Sequence, residues 1–386
     1  MSDILAVSGA RIFDGYDWHD HAALLIEFGY VAGIVAAADI PFRAERVTLD
    51  GGMIVPGFVD LQVNGGGGVL FNNAPTLDSI RTICAAHARF GTTALLPTLI
   101  TDTPEVVESA ISAGIAAGRE RVPGFAGLHL EGPHLALARK GTHDPALIRP
   151  MTDADLALLA NAARDLPNLL CTVAPETVPP QHIAALVKAG AVVSLGHTDA
   201  TYAQACAAFD AGASMVTHLF NAMSQMGNRE PGVVGAALDR ADVAAGLIAD
   251  GIHVHPASMR AALRAKQGAG TIFLVTDAMS QTGTDLTSFA LNGRTVTRAD
   301  GALRLADGTL AGADLDMIDA VNFIIDAIGL APDEAFRMAS LYPATAMGLR
   351  AIGHLRPSAV ANFVHLSGER QMRSTWINGE TAWAAP

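Results

Sequence analysis

The 386-residue chain is half hydrophobic and 16% charged, so it contains ample material for a large buried core. Its net charge of −13, carried without basic clusters, argues against a nucleic-acid partner. No apolar run approaches the ~20 residues of a membrane span, no secretory signal is visible, and three scattered cysteines favour a reducing compartment, so we expect a cytoplasmic protein.

Taken in chain order, the two ends differ from the middle. Residues 1–54 and 352–386 read as short strands separated by turn residues. Because both ends have this character, we expect them to form one small β-sandwich domain together.

Residues 55–351 alternate short apolar segments with Ala-rich helical patterns. The predicted strands are Phe58–Val63, Ala94–Thr98, Ala126–Glu131, Leu169–Val173, Val192–His197, Met215–His218, Val243–Ala249 and Ile272–Asp277. The predicted helices are Leu77–Phe90, Pro104–Arg119, Asp153–Arg164, Gln181–Ala189, Tyr202–Ala211, Ala257–Ala265, Leu315–Ile328 and Asp333–Met347. Apolar strands with helical crossovers are typical of a parallel sheet covered on both faces, and eight of them predict a (β/α)₈ TIM-type barrel.

Two stretches depart from this alternation. The Gly-rich region after the sixth predicted strand reads as a long loop. The segment Leu291–Gly312 reads as a hairpin inserted after the eighth strand, and its pattern does not indicate where it packs.

Polar side chains gather at the carboxyl ends of the predicted strands, where the active sites of α/β barrels lie. These residues are Gln62 and Asn64 after strand one, His129 and Glu131 in strand three, His197 in strand five, His218 in strand six and Asp277 in strand eight. A single histidine in such a place is more often hydrogen-bonded than metal-bound, and a single aspartate more often caps a helix. Imidazoles and carboxylates repeated at several strand ends favour a divalent-metal site with an open position for water.

The chain resembles the amidohydrolase superfamily in its barrel, its metal-binding strand ends and its terminal β domain. Within it, the motifs LHLEGPH…KGTHDP, SLGHTDAT, THLFNAM, NREPG, IADGIHVHP and LVTDAM resemble the N-acetylglucosamine-6-phosphate deacetylase family. The resemblance implies that Glu131, His197 and His218 bind one divalent metal, zinc, and that Asp277 is the catalytic acid/base. It also implies substrate contacts from Gln62, Asn64, Thr142, His143, Asn221, Ala222, Arg229, Asp250, Gly251, His253, Leu310, Ala311 and Gly312.

The pair Gln62 and Asn64 departs from a pattern of the superfamily, in which many members carry His-x-His at the end of strand one. Neutral amides are weak zinc ligands compared with imidazole, and the fourth strand (LLCTVAPE) has no lysine that could bridge two metals. We therefore expect a single metal per subunit, with the amides orienting a water or the substrate.

The expected chemistry is hydrolysis of an amide. Asp277 would take a proton from water and deliver it to the departing nitrogen, and His143 would donate to the developing oxyanion. The alternative is a surface histidine in a Gly-Thr-His-Asp turn, because turns favour such residues. We interpret His129 as structural or as supporting the site, and His255 as uninvolved; His134 receives no role.

The expected reaction is hydrolysis of N-acetyl-D-glucosamine 6-phosphate to glucosamine 6-phosphate and acetate, in amino-sugar catabolism. One alternative is an amidohydrolase that acts on a cyclic amide, a urea or an N-acyl amino acid, which would commonly need the missing His-x-His or lysine ligands. A metal-free binding protein on the same scaffold would have lost one of Glu131, His197, His218 or Asp277, and all four are present. The resemblance further implies a homodimer in which Arg229 binds the 6-phosphate in the neighbouring active site.

Overall fold

Eight parallel strands form the central sheet of the computed structural model, which describes residues 4–386. In chain order, and named strand one to strand eight, they are Phe58–Val63, Thr92–Ile100, Leu128–Glu131, Leu169–Val173, Val192–Leu195, Met215–Val216, Ala244–Leu247 and Ile272–Leu274. Each strand pairs in parallel with the next one along the chain. The predicted TIM-type barrel is confirmed.

Strands one and eight close the barrel through a few specific hydrogen bonds. The backbone N–H of Asp277 donates to the Gln62 carbonyl at 3.0 Å, and that of Asn64 donates to the Ala278 carbonyl at 2.8 Å. Below them, the fully buried Asp60 carboxyl lies 2.6 Å from the Thr276 hydroxyl and also accepts from the Thr276 and Gln62 N–H groups. This closure places the strand-one amides beside Asp277.

The helices surround the barrel as the sequence predicts, with three differences. The α-helices are Leu77–Ala88, Pro104–Arg119, Asp153–Asp165, Pro180–Ala189, Tyr202–Asp210, Gly232–Asp239, Pro256–Ala265, Met317–Phe323, Pro332–Ala339 and Leu341–Ala346. The prediction of a long loop after strand six is wrong for the second half of that region, which forms the helix Gly232–Asp239. Its first seven residues, GVVGAAL, are all buried, so it has no polar face to reveal a helical period.

The other two differences concern helix ends. The predicted helix Leu315–Ile328 begins at Met317, where the Asp316 side chain caps it, and its last turn, Ile324–Ile328, is a π-helix. The predicted helix Asp333–Met347 is two helices, because Ser340 leaves the helical conformation with φ −134°. Short 3₁₀ turns occur at Ala37–Asp39, Phe71–Asn73 and Leu137–Arg139. Among residues 4–386, no helix has the length and hydrophobicity needed to cross a membrane.

Both chain ends contribute to a pair of β-sheets beside the barrel. One sheet contains Tyr30–Ala36, Ala22–Glu27, Ile4–Ser8 and Glu45–Thr48; the other contains Glu380–Ala384, Met372–Ile377, Phe363–Leu366, Met53–Pro56, Arg11–Phe13 and Trp18–His19. The second sheet joins three C-terminal strands to three N-terminal strands through the antiparallel pairing of Phe363–Leu366 with Met53–Pro56. A separate apolar cluster that includes Leu24, Ile54 and Phe363 packs within this unit. The predicted small terminal domain is confirmed, whereas its boundaries at residues 54 and 352 stay a prediction.

The stretch predicted as a hairpin forms a four-stranded antiparallel sheet, which we call the insert sheet. Its strands are Ser288–Leu291, Arg294–Ala299, Ala302–Arg304 and Leu310–Ala313. Its apolar side packs on Ile100 and Met279 near the carboxyl ends of strands two and eight. A bridge between Ala278 and Ala313 attaches the sheet to the chain just after strand eight. The insert sheet therefore lies over the mouth of the barrel.

The buried Asp60 generates a prediction about stability. Burial raises the pKa of Asp60 to about 7, above the ~3.9 of an unfolded chain, so the folded state holds the proton more tightly. Between pH 4 and pH 7 the unfolded state ionises first, and the protein loses stability as the pH rises. We expect the wild type to lose roughly 1–4 kcal/mol relative to Asp60→Asn over this range.

Urea unfolding of both proteins from pH 4 to pH 8 measures this difference. The metal ligands are the same in both, so their titration cancels. A stability difference that does not vary with pH would contradict the raised pKa of Asp60.

Candidate active site

The barrel mouth contains a cavity of about 550 Å³ where the strand ends meet the insert sheet. The predicted site residues that line it are Asn64, Glu131, Thr142, His143, His197, His218, Asn221, Ala222, His253, Asp277, Leu310 and Gly312. Residues that are distant in the sequence thus meet in one place. The volume is in the range of pockets that bind small molecules.

Three of these residues leave their strands in an unusual backbone conformation. His197, His218 and Asp277 have φ values of 47°, 33° and 52°, in the left-handed region that residues other than glycine rarely adopt. Each follows a barrel strand by two or three residues, which explains why strands five, six and eight are shorter than predicted. Such strain often accumulates at functional sites, where the surrounding structure must maintain it.

Glu131, His197 and His218 form the centre of the site. The Nε2 atoms of His197 and His218 are 3.1 Å apart, and they lie 3.3 Å and 3.0 Å from Oε1 of Glu131. Ligands at ~2.0–2.1 Å from a tetrahedral zinc would be separated by roughly 3.3 Å. The three atoms therefore have the spacing of one face of a tetrahedral metal site.

The hydrogen bonds of His197 support the same conclusion. Its Nδ1 donates to the Arg139 carbonyl at 2.8 Å, so Nε2 of the neutral ring carries a lone pair directed at Glu131 and His218. Lone pairs that converge at this spacing repel one another unless a cation lies between them, so these residues fit a divalent metal.

His143 is close to this centre but has a different hydrogen-bonding pattern. Ligand atoms of Glu131, His143 and His197 lie within 4.8 Å of one another, so His143 could also be considered a ligand. However, its Nδ1 accepts from the Thr101 N–H at 3.3 Å and lies 2.7 Å from the Thr101 hydroxyl. Burial and nearby His197 hold the pKa of His143 well below its usual range. The ring is therefore neutral with its proton on Nε2, which makes it a hydrogen-bond donor to the cavity.

The strand-one amides contact both carboxylates of the site. Gln62 Nε2 lies 3.3 Å from Glu131 Oε1 and 3.2 Å from Asp277 Oδ1, and Asn64 Nδ2 donates to the same Asp277 oxygen at 2.6 Å. The sequence predicts that these amides orient a water or the substrate, and this stays a prediction. The atoms that could do so are the side-chain oxygens, Gln62 Oε1 and Asn64 Oδ1. Both oxygens are buried and have no protein partner among the described residues.

Asp277 differs electrostatically from Glu131. Burial and the negative charge of Glu131 raise the pKa of Asp277 to about 6, in opposition to the hydrogen bond from Asn64. A carboxyl group with a pKa near the working pH can both accept and release a proton, which general acid–base catalysis requires. The two carboxylates are therefore suited to different roles, Glu131 to binding a cation and Asp277 to transferring a proton.

Other predicted residues support the cavity or lie outside it. Asp250 accepts from the His253 ring at 2.6 Å and so orients that histidine toward the cavity. Gly251, with φ 74°, forms the turn between them. Ala311 is fully buried in the core of the insert sheet. Arg229 is exposed and is not part of the cavity lining of its own chain.

Three histidines have structural contacts. His129 lies between the hydroxyls of Thr98 and Thr172 inside the barrel, at 3.1 Å and 2.7 Å. His134 hydrogen-bonds to a backbone carbonyl at 3.1 Å. His255 caps the helix Pro256–Ala265.

The sequence interpretation missed three polar residues of the site. Thr101 holds His143 in place, and Arg139 and Arg304 belong to the cavity lining. Thr101 follows strand two directly, so the search for polar residues at the carboxyl ends of strands could have identified it. Arg139 and Arg304 lie in a loop and on the insert sheet, where no strand-end pattern marks them.

Comparisons with known proteins agree with this arrangement. The Amidohydrolase family model matches residues 53–382. An N-acetylgalactosamine-6-phosphate deacetylase of Shewanella sp. (strain ANA-3) is 40% identical, with 99% of this chain and 97% of that protein aligned. An N-acetylglucosamine-6-phosphate deacetylase of Haemophilus influenzae is 33% identical, with 97% and 98% aligned.

A solved structure shows the same fold over the whole chain. The crystal structure of N-acetylglucosamine-6-phosphate deacetylase from Pasteurella multocida superimposes with a TM-score of 0.95 at 34% identity, covering 99% of this chain and all of that one. The resemblance inferred from the motifs is confirmed.

The contrast between His143 and His218 generates a prediction about metal binding. We expect Glu131→Gln and His218→Asn to lower the affinity for the divalent cation by at least ~10²-fold, because each removes one of three ligand atoms. His143→Asn should retain the cation, since its ring proton faces the cavity. Elemental analysis of each purified variant after dialysis measures the bound metal, and circular dichroism verifies the fold. Loss of the cation in His143→Asn with retention in His218→Asn would contradict this ligand assignment.

Proposed function

Because the chain belongs to the amidohydrolase family, we propose that it hydrolyses the acetamide of N-acetyl-D-glucosamine 6-phosphate to glucosamine 6-phosphate and acetate. The observation that carries this proposal is the buried Glu131, His197 and His218 cluster facing Asp277 across one cavity. The names of the full-length relatives from Haemophilus influenzae and Pasteurella multocida support the same substrate.

A second candidate substrate is N-acetyl-D-galactosamine 6-phosphate, the C4 epimer. The Shewanella relative that carries this sugar in its name is 40% identical, whereas the Haemophilus relative is 33% identical. The two sugars share the acetamide and the phosphate, so the same catalytic groups serve both. Only contacts to the 4-hydroxyl would distinguish them.

The residues of the site divide the reaction between them. A bound divalent cation supplies Lewis acidity toward the amide carbonyl and makes water a nucleophile near neutral pH. Asp277, held by Gln62 and Asn64, accepts the proton that water loses as its oxygen adds to the carbonyl carbon. When the C–N bond breaks, the same carboxyl returns the proton to the sugar nitrogen, so protons balance over the cycle.

His143 and His253 have supporting roles in this scheme. The Nε2–H of His143 donates to the carbonyl oxygen as negative charge develops there. His253, oriented by Asp250, faces the substrate with its other ring nitrogen. Of the divalent metals, two imidazoles and one carboxylate favour zinc. The absence of imidazoles at Gln62 and Asn64 favours one ion per subunit.

Further parts of the proposal concern the whole protein. We infer a homodimer in the cytoplasm that acts in amino-sugar catabolism. The position of Arg229 is an argument for the dimer, because this residue is exposed and lies outside the cavity of its own chain. Its neighbour Glu230 accepts instead from the N–H groups of Tyr202 and Gly232, so it does not need Arg229 as a partner.

The substrate proposal is tested by measuring acetate release from four sugars: the 6-phosphates of N-acetylglucosamine and N-acetylgalactosamine and their unphosphorylated forms. We expect kcat/KM to be highest for N-acetylglucosamine 6-phosphate. Asp277→Asn is the control, and its kcat should fall by at least ~10²-fold with its metal retained. A higher kcat/KM for the galactose epimer would establish the second candidate. Near-normal turnover by Asp277→Asn would contradict the mechanism.

The dimer proposal is tested by mixing two inactive proteins, Arg229→Ala and Asp277→Asn. If Arg229 acts in the neighbouring active site, each hybrid dimer has one site with both lesions and one with neither, so activity should partly return. The hybrids are verified by separating differently tagged chains. No recovery in verified hybrids would place the action of Arg229 within its own chain.

A further inference from the structure

We propose that Arg304 of the insert sheet is a specificity-determining residue, which binds the phosphate of the substrate from within the same chain. The proposal rests on the proposed function for the identity of the anion. It assigns a role to the insert sheet, whose position the sequence did not indicate.

The charges around the cavity first indicate Arg304. The acetamide on C2 and the phosphate on C6 are at separate positions of the proposed substrate, so the phosphate needs hydrogen-bond donors other than the catalytic residues. Arg139 and Arg304 are the arginines of the cavity lining within residues 4–386. The Arg139 guanidinium already forms an ion pair with Asp199 at 2.8 Å.

Arg304 has a different set of partners. Its Nη1 donates to the Gly308 carbonyl at 3.2 Å, a neutral acceptor in the following turn. Nearby Asp307 instead accepts from the Thr309 N–H at 2.9 Å. A guanidinium has five N–H donors in a planar fork that matches two phosphate oxygens. The described part of the chain gives Arg304 no carboxylate partner within 4 Å, so its charge is available to a ligand.

Arg304 lies on the part of the insert sheet that borders the cavity. Leu303 and Leu305, on either side of it, are buried in the apolar core of the insert sheet. Arg304 itself is exposed and belongs to the cavity lining, together with Gly308, Thr309 and Leu310 of the next turn.

The insert sheet also reaches the loop that carries His253. A side chain placed on Gly301 would begin 3.8 Å from the Ile252 side chain, next to His253 in sequence. Arg304 follows Gly301 by three residues on the same sheet. His253, Arg304 and Asp277 all belong to the cavity lining, and they come from a barrel loop, the insert sheet and the end of strand eight.

The experiment measures the binding of the product and its unphosphorylated form, glucosamine 6-phosphate and glucosamine, by calorimetry with the metal-loaded protein. Arg304→Ala should raise the Kd for the phosphorylated sugar about 10- to 100-fold, the scale of a charge-assisted hydrogen bond. The Kd for glucosamine should change less than twofold. Arg304→Lys should recover part of the loss, because a single cation replaces the fork.

Arg298→Ala is the matched control, because it removes a guanidinium from the same sheet that already pairs with Asp314 at 2.7 Å, outside the cavity. It should leave both Kd values unchanged. Equal binding of glucosamine 6-phosphate by the wild type and Arg304→Ala, or equal losses for both sugars, would overturn the proposal. The calorimetric measurement of binding does not depend on the acetate-release assay. If the wild type released no acetate, that result would contradict the proposed function and not the role of Arg304 in binding the phosphate.

Discussion

Two buried carboxylates face each other in the mouth of this barrel, and the side-chain amide of Gln62 lies between them. Its Nε2 atom is 3.3 Å from the nearer Glu131 oxygen and 3.2 Å from Asp277. Like charges at this depth repel strongly unless donors or cations compensate them. A neutral amide can donate to both carboxylates at once, whereas an imidazole in its place would offer a ligand for a second metal. In the proposed mechanism, the amides of strand one are therefore the reason that the site holds one cation and not two.

The rest of the fold maintains that arrangement. Asp60 and Thr276 close the barrel directly below the amides, and three residues of the site keep left-handed backbone conformations at their strand ends. Each such conformation costs on the order of 1–3 kcal/mol. An extensive apolar core around the barrel offsets these costs. The polar cluster thus depends on a rigid scaffold, which allows donors and acceptors to be placed within tenths of an ångström.

The sequence was informative where a residue's neighbours along the chain determine its structure. Apolar runs and Ala-rich periods identified the barrel strands and most helices, and polar residues at strand ends identified Glu131, His197, His218 and Asp277. The strand-end rule works because parallel strands all deliver their carboxyl ends to one side. It also identified Gln62 and Asn64 as unusual, although it did not show that their amide groups hold the two carboxylates.

Contacts between distant segments were not predictable in the same way. The first seven residues of the helix Gly232–Asp239 are all buried, so it has no amphipathic period. The insert sheet could be recognised as antiparallel, but only its packing on Ile100 and Met279 shows that it forms a wall of the cavity. Arg304 is for this reason indistinguishable from a surface arginine until the fold is known. The tautomer of His143 likewise depends on Thr101, 42 residues away.

The most direct test of the central claim is a crystal structure of the metal-loaded protein, with an anomalous-difference map measured at the absorption edge of the bound metal. The account predicts one strong peak per chain, bonded to Glu131, His197 and His218, with the Gln62 and Asn64 amides donating to the carboxylates. A second peak of comparable height next to Gln62 and Asn64 would contradict it.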